Sequence, residues 1–253
     1  MSIITTQDFI AYKSVGKYIV KLKIPVGSRT NINRQFVVDH NHAKFRCDKA
    51  HVLEIRHKYT NRRVPSVKSN HDPSIQYTVG KDIVPRYEYD SDPDKVCASG
   101  IHFFLTREPA YDYGNDLKNG ICRQWGDNGL LEVIGTKKNS HMDGEWKLCY
   151  EDGAIHVLDN WIDGERSGLL KIWDEYGFLK IISIYEEDKE IKSIEYGAGG
   201  HTMRFDIYDD YDRLAMSLEF WHEKEISIED KMNHEYQLLN NDILVLSPDY
   251  IQH

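Results

Sequence analysis

The chain has no cysteine pair at metal-ligand or redox spacing. Its four cysteines, Cys47, Cys97, Cys122 and Cys149, are widely separated and form no CxxC motif, which excludes a local zinc knuckle or dithiol centre. It also has no run of about 18 apolar residues, so no helix long enough to span a bilayer is expected. Met1 to Lys13 lacks a basic start followed by an apolar stretch, and Asp8 interrupts it, so no signal peptide is expected. These absences point to a soluble protein with reduced thiols inside a cell. Proline is missing from residues 110 to 247, and tryptophan is missing before Trp125. Glycine is scarce before residue 113 and recurs after it. A domain boundary is therefore expected near residue 113.

The hydrophobic content of 40% is enough for a substantial core, in one large domain or two modest ones. The net charge of −9 is unevenly spread. Residues 1–113 carry 18 Lys+Arg against 12 Asp+Glu, a net of +6, and the remainder carries 14 against 29, a net of −15. Such an acidic second half repels phosphate backbones and anionic lipid. It argues against extended nucleic-acid binding there and against membrane association.

The second half repeats with a period of 24. Gly120, Gly144 and Gly168 are in step, as are Gly129, Gly153 and Gly177. Between them run Arg123/Lys147/Lys171 and Trp125/Cys149/Trp173. After the second glycine come Leu131/Ile155/Leu179, Val133/Val157/Ile181 and Ile134/Leu158/Ile182. A fixed period of this size indicates a repeat architecture. In the third unit, Leu169 to Trp173 reads as a short strand, Asp174-Glu175-Tyr176-Gly177 as a turn, and Phe178 to Tyr185 as the returning strand. Asp163-Gly164 is a hairpin-type dipeptide. One such unit cannot bury its apolar face alone, so neighbouring hairpins must pair or stack. The missing proline fits a sheet that needs all its ladder donors.

A degenerate fourth unit is expected after an insertion, with Tyr208-Asp209-Asp210-Tyr211 echoing Trp173 to Tyr176. The insertion holds Tyr196-Gly197-Ala198-Gly199-Gly200, which lacks the following Lys-Ser/Thr of a phosphate loop. Ser227-Ile228-Glu229-Asp230 has capping-box form and predicts a helix through about Leu239, with a strand over Asp242 to Leu246. Together these would cap the repeats.

The run Gly144-Glu145-Trp146-Lys147-Leu148-Cys149-Tyr150-Glu151-Asp152-Gly153, continuing to Trp161-Ile162-Asp163-Gly164-Glu165, resembles the MORN-repeat variant of antitoxin-like and giant-virus proteins. The signature positions are Gly120, Trp125, Gly129, Gly144, Trp146, Gly153, Trp161, Gly168, Trp173 and Gly177. The match covers 114–190 well and 203–225 loosely. Departures are Cys122 and Leu170 in the Trp146 column and Asp212 at the last turn glycine. The resemblance implies an elongated antiparallel sheet used for protein contacts, often for self-association, with no conserved catalytic site.

The first domain carries α+β signals. Strands are expected at Tyr18 to Pro25, within Phe45 to Ile55, around Tyr77 to Lys81 and at Cys97 to Phe104, with a helix at Arg107 to Tyr113. Its elements Lys49-Ala50-x-Val52-Leu53-Glu54-Ile55, preceded by Cys47, then Tyr77-x-Val79-Gly80-Lys81 and Cys97-x-x-Gly100-Ile101-His102-Phe103-Phe104, resemble an uncharacterised domain of giant DNA viruses. That resemblance implies a viral origin and carries no known chemistry.

Candidate chemistry in this domain rests on His51, Glu54, Cys97 and His102. Gly100 to Phe104, followed by Ala110 and Tyr113, resembles the strand and helix that line the nicotinamide pocket of poly-ADP-ribose polymerases. That resemblance implies an ADP-ribosyltransferase-like, NAD-binding alternative, with His51 and Glu54 as the other candidates. Val38-Asp39-His40-Asn41-His42 looks like the start of an HNH nuclease but lacks the residues that complete its metal site. Cys47, Cys97, His102 and a further histidine have suitable zinc donors without local spacing. The cluster Arg56-His57-Lys58-Tyr59 with Arg62-Arg63 suits an acidic partner, including the acidic repeats of a second copy.

The expectation is a mostly β, α+β protein. An N-terminal α+β module (1–113) is followed by an antiparallel sheet of MORN-type hairpins (114–225) and a helix-strand cap (226–253). Its expected function is that of a non-enzymatic scaffold with no catalytic, cofactor or metal residues. It would bind an unidentified protein partner or itself as a homodimer, in the host cytoplasm or the virion.

Overall fold

The computed structural model describes residues 2–197, 202–208 and 213–221, with Ile226, Ser227, Glu229 and Lys231. The protein is mostly β, with antiparallel sheets. It divides into two compact units, residues 1–116 with 122–132, and residues 117–121 with 133–253. The expected boundary at residue 113 thus falls inside the first unit, which takes in the turn end of the first repeat hairpin.

The first unit contains β1 (Ile3–Ile4), β2 (Phe9–Val15), β3 (Tyr18–Ile24), β4 (Arg29–Thr30), β5 (Lys44–Cys47), β6 (Ala50–His57), β7 (Ser66–Lys68), β8 (Gln76–Thr78), β9 (Asp82–Ile83), β10 (Ile101–Phe104) and α1 (Arg107–Asp112). Eight strands form one sheet in the order β1-β4-β5-β10-β2-β3-β6-β9, and β7 pairs separately with β8. The sequence pattern shows β3 and β10 directly. It hides β2, because Phe9-Ile10-Ala11-Tyr12-Lys13-Ser14-Val15 alternates only weakly. The segment Phe45 to Ile55 is two strands rather than one, broken at Asp48-Lys49.

Register sets the core face. Phe45 opposes Phe103, and Lys13, Val20 and Ile55 fall in line across β2, β3 and β6. Phe45, Phe103, Val20, Leu22, Ile24, Val52 and Ile55 are fully buried together, with Cys47 among them. At roughly 25 cal/mol per Å² of apolar surface, this cluster supplies most of the unit's driving force.

The second half carries β11 (Gly120–Trp125), β12 (Leu131–Lys138), β13 (His141–Met142), β14 (Gly144–Cys149), β15 (Ile155–Ile162), β16 (Glu165–Arg166), β17 (Gly168–Trp173), β18 (Leu179–Glu186), β19 (Lys189–Tyr196), β20 (Thr202–Tyr208) and β21 (Leu214–Trp221). They follow one another in the sheet in chain order, with β13 and β16 as short returns beside β12 and β15. The segment expected as an insertion is mostly strand, because β19 pairs with β18 and β20 along its length. Residues 198–200 of the glycine-rich segment and residues 209–211 of the echo that begins at Tyr208 lie outside the described residues.

The 24-residue period is also a backbone period. Gly126 N donates to Leu130 O at 2.8 Å, Tyr150 N to Ala154 O at 2.8 Å, and Asp174 N to Phe178 O at 2.9 Å. Each turn closes on Gly129, Gly153 or Gly177, at φ of +89°, +90° and +83°. At the other end, Asn139-Ser140, Asp163-Gly164 and Glu187-Asp188 all have positive φ, as a type I′ hairpin requires. Only Asp163-Gly164 shows this in its sequence; the other two turns are imposed by the strands they join.

The two faces of the sheet differ. On one, Ile182, Ile194 and Phe205 lie in a row and are buried with Tyr196, Met203 and Ile226. On the other, Ser183, Ser193 and Asp206 form a buried polar row, continued by the pairs Trp146–Asp159 and Leu170–Ser183. Gly135 has no room for a Cβ, which would lie 2.1 Å from the Trp146 indole. Near the expected cap, Lys231 N donates to Ser227 O at 3.0 Å, the spacing of a helical turn. The rest of that helix and the strand expected after it lie outside the described residues.

Candidate functional site

The four residues singled out in the first domain do not converge. His102 is on β10, whereas His51 and Glu54 are on β6, with β2 and β3 between them. Three strand spacings of about 4.8 Å separate the two strands. His51 Nδ1 stands 2.7 Å from Asp82 Oδ1. Glu54 is held by Arg56 at 2.8 Å and Arg63 at 2.6 Å, hydrogen bonds that keep its carboxyl below the usual range. The basic cluster is therefore partly neutralised from within. Lys58 of that cluster is buried and donates to Tyr113 O at 2.9 Å; burial pulls its ammonium down to about 8.

His102 donates from Nε2 to Val96 O at 3.0 Å. Burial, followed by the Lys13 ammonium, pushes its imidazole down to about 4. Lys13 is partly exposed as a residue, but its ammonium is enclosed, donates to His102 O at 3.1 Å and is drawn down to about 8 by burial. Cys47 lies in the core, and burial raises its thiol well above the usual range. Cys97 is exposed, 3.6 Å from Lys44 Nζ. Among the described residues no group of three or more His, Cys, Asp or Glu is arranged to hold a metal ion.

What the first unit does assemble is a cleft of about 540 Å³ between α1, the end of β10, β5 and the strand-turn segment 123–127. Its size falls in the range of small-molecule sites. The segment from Pro109 to Asp116 forms one wall, with Asp112 and Tyr113 at the end of the helix. Arg123, Gln124 and Trp125 of β11, followed by Gly126 and Asp127, form the other. Lys44 and Phe104 line it from the sheet.

The 123–129 segment is tied down on several sides. Val38 N and Asp39 N both donate to Asn128 O, at 2.9 and 3.1 Å, and the Arg34 guanidinium donates to Asp127 O. Gly129 passes so close that a Cβ would lie 2.0 Å from Asp39 O. Trp125 is fixed at two points. Its Nε1 donates to Asp112 Oδ2 at 2.9 Å, and one face stacks on His42 at 3.9 Å between centroids, 16° from parallel. His42 is held by Asp39 Oδ2, 2.6 Å from its Nδ1, and its Nε2 is 3.5 Å from Glu108. Burial alone would push the Asp39 carboxyl up, but the hydrogen bonds from His42 and Asn41 N outweigh it and hold it low.

The charges in the cleft are paired with one another. Burial raises the Asp112 carboxyl against the Trp125 N–H and the Arg123 charge. Arg123 Nη1 lies 3.5 Å from Glu108 and 3.9 Å from Asp112. Lys44 is 3.2 Å from Asp127 and lies over the Tyr113 ring at 5.6 Å. Burial works against its charge, but Asp127 and the neighbouring acidic groups keep its ammonium above the ordinary value. Sequence reasoning placed Arg123 and Trp125 in repeat columns, noted His42 only within a run resembling an HNH nuclease start, and missed Lys44 and Asp112. A usable signal was the pair Glu108 and Asp112, four apart on a helix and so on one face.

A second candidate surface lies in the repeats. Val133 opposes Leu148, Leu148 opposes Val157, Val157 opposes Ile172, and Ile172 opposes Ile181. All five are half-buried and form an aliphatic row across five strands. Beside it, Arg166 lies over Trp161 at 5.2 Å and Tyr185 at 5.5 Å, and pairs with Asp159 at 3.0 Å. The Trp161 and Tyr185 columns are thus joined by a cation rather than by direct ring contact. The other signature residues take backbone roles: Gly120, Gly144 and Gly168 have φ of +114°, +80° and +103°. Trp146 is buried over Gly135, and the Trp173 carbonyl accepts from Tyr150 Oη at 2.8 Å.

Residues 1–110 match the model of a family of unknown function, DUF5758. No curated protein and no solved structure matches the chain. No helix among the described residues is long and apolar enough to cross a membrane.

Proposed function

We propose that this is a non-enzymatic interaction protein of a large DNA virus, acting in the host cytoplasm or the virion, whose MORN-type hairpin repeats bind a protein partner. The observation that carries this reading is the aliphatic row from Val133 to Ile181 across successive hairpins. Half-buried aliphatic side chains in a continuous row, flanked by an Arg-aromatic stack, have the composition of an interface centre. The acidic charge of the repeats favours a basic protein over nucleic acid or anionic lipid. Self-association would use the same face, or the Arg62–Arg63 region against the acidic repeats of a second copy. The NAD-binding alternative draws no support from the separation of His102 from His51 and Glu54.

The test is affinity purification of the full chain from infected cells, alongside a Leu148→Glu/Ile172→Glu variant. Partners recovered by the wild type and lost by a variant with unchanged circular dichroism support the reading. An unchanged partner set would refute it.

A further inference from the structure

We propose that the cleft in the first unit binds a nucleotide, with its base stacked on Trp125 and its phosphate held by Lys44 and Arg123. The argument starts from the indole. One face of Trp125 is covered by His42 and its N–H is committed to Asp112, so the ring is held rigid. Trp125 also lines the cleft and is only half-buried, and the base would sit on the indole face away from His42. An immobilised aromatic face is a stacking platform that loses little entropy on binding.

The second feature is the pair of cations. Lys44 and Arg123 line the same cleft, each nearest to a carboxylate whose side chain is about half exposed, Asp127 at 53% and Glu108 at 52%, with the buried Asp112 a longer 3.9 Å from Arg123. A carboxylate this exposed turns out into water at little cost, which leaves its cation to a stronger anion. A phosphate brings more charge and suits the guanidinium fork, so it displaces such partners. The unit that holds the cleft is also the basic part of the chain. It carries 19 Lys+Arg against 15 Asp+Glu, whereas the other unit carries 13 against 26. A plain anion would leave the Trp125 face unused, and a plain aromatic ligand would leave both cations unused. A nucleotide uses both, and the cleft of about 540 Å³ has room for one. Asp112 acts as a positioning residue, fixing the edge of the indole.

Titration calorimetry on the full chain tests this with four ribonucleoside monophosphates, the parent nucleosides, inorganic phosphate and a single-stranded pentanucleotide. Saturable binding of at least one monophosphate is expected, with its nucleoside and phosphate each roughly 10-fold weaker or worse. Lys44→Gln and Arg123→Gln should each weaken binding by about 10-fold, with circular dichroism unchanged. Trp125→Leu should weaken it similarly, and Trp125→Phe less, because the platform survives. A pentanucleotide that binds much tighter than the monophosphate assigns the site to a strand end; equal affinity assigns it to a free nucleotide, and both support the proposal. The proposal is overturned if no monophosphate or oligonucleotide saturates the wild-type protein at millimolar concentration. It is equally overturned if phosphate alone binds as tightly, or if folded Lys44→Gln and Arg123→Gln variants bind like wild type.

Discussion

Arg46 should be the most consequential single side chain of the first unit, and its replacement by methionine is the sharpest test of how that unit holds together. The residue is fully buried on β5. Its guanidinium donates to Lys95 O at 2.8 Å, to Ser99 O at 3.2 Å, and to the carbonyls of Asp90 and Asp92. It also lies 4.8 Å from the centre of the Tyr89 ring. The loop 89–99 therefore wraps a fixed cation through its backbone. The side chains of Asp90 and Asp92 are engaged within the loop, accepting from Asp92 N and Asp94 N, and Asp94 accepts from the distant Gln35 N. Hydrogen bonds from a charged donor contribute roughly 1.5–3 kcal/mol each, and freed carbonyls regain part of that from water once the loop opens. The loss on Arg46→Met is then about 3–5 kcal/mol, the range for removing one side of a buried charged contact. At about 1.4 kcal/mol per tenfold, a loss of about 3 kcal/mol raises the open population of the loop roughly 100-fold. Lys95 lies in this loop with an exposed side chain and a tethered carbonyl. Limited trypsinolysis at Lys95 should therefore accelerate by about that factor under native conditions. Arg46→Lys should fall between, because an ammonium keeps the charge but cannot span four carbonyls. If Arg46→Met leaves both the Lys95 cleavage rate and the urea midpoint unchanged, the reasoning is wrong.

Three further outcomes follow from the geometry. His102 titrates at about 4 in the fold, below its ordinary value of 6.5, so unfolding takes up a proton between those pH values. Its contribution is present above about 6.5 and is lost as pH falls through about 4, worth about 3 kcal/mol; His102→Gln should flatten this acid limb in pH-dependent urea melts, and an unaltered limb would count against it. Trp125→Ala should destabilise the first unit by about 3 kcal/mol in denaturant, through the lost stack on His42 and the lost N–H donor to the buried carboxyl of Asp112. Gly129→Ala and Gly177→Ala share a repeat column and a positive φ, but only the first meets backbone, 2.0 Å from Asp39 O. Thermal melts should show a cost of about 1 kcal/mol for Gly177→Ala and at least about 3 for Gly129→Ala, and equal costs would remove the close approach as the cause.

Much of the repeat was legible in residue order alone, for a physical reason. A turn that needs positive φ selects glycine, and a two-faced strand needs alternation, so Gly129, Gly153 and Gly177 and the flanking aliphatic columns marked the hairpins directly. Those constraints act within a few residues of each position. Local pattern also located β3, β10 and α1 closely. It failed where pairing over long distance outweighed propensity. β19 falls where the 24-residue period breaks, so residue order showed an insertion but not the strand that β18 and β20 hold in the ladder. His51, Glu54 and His102 looked like one site because their order along the chain says nothing of the strands that separate them. The cleft was invisible for the same reason. Lys44, Asp112 and Trp125 meet because Asn128 O, Asp127 O and Gly129 are gripped by residues 34–39, contacts about 90 residues apart in the chain. Periodicity records what each hairpin requires of itself; where a hairpin turn docks depends on partners that no local pattern encodes.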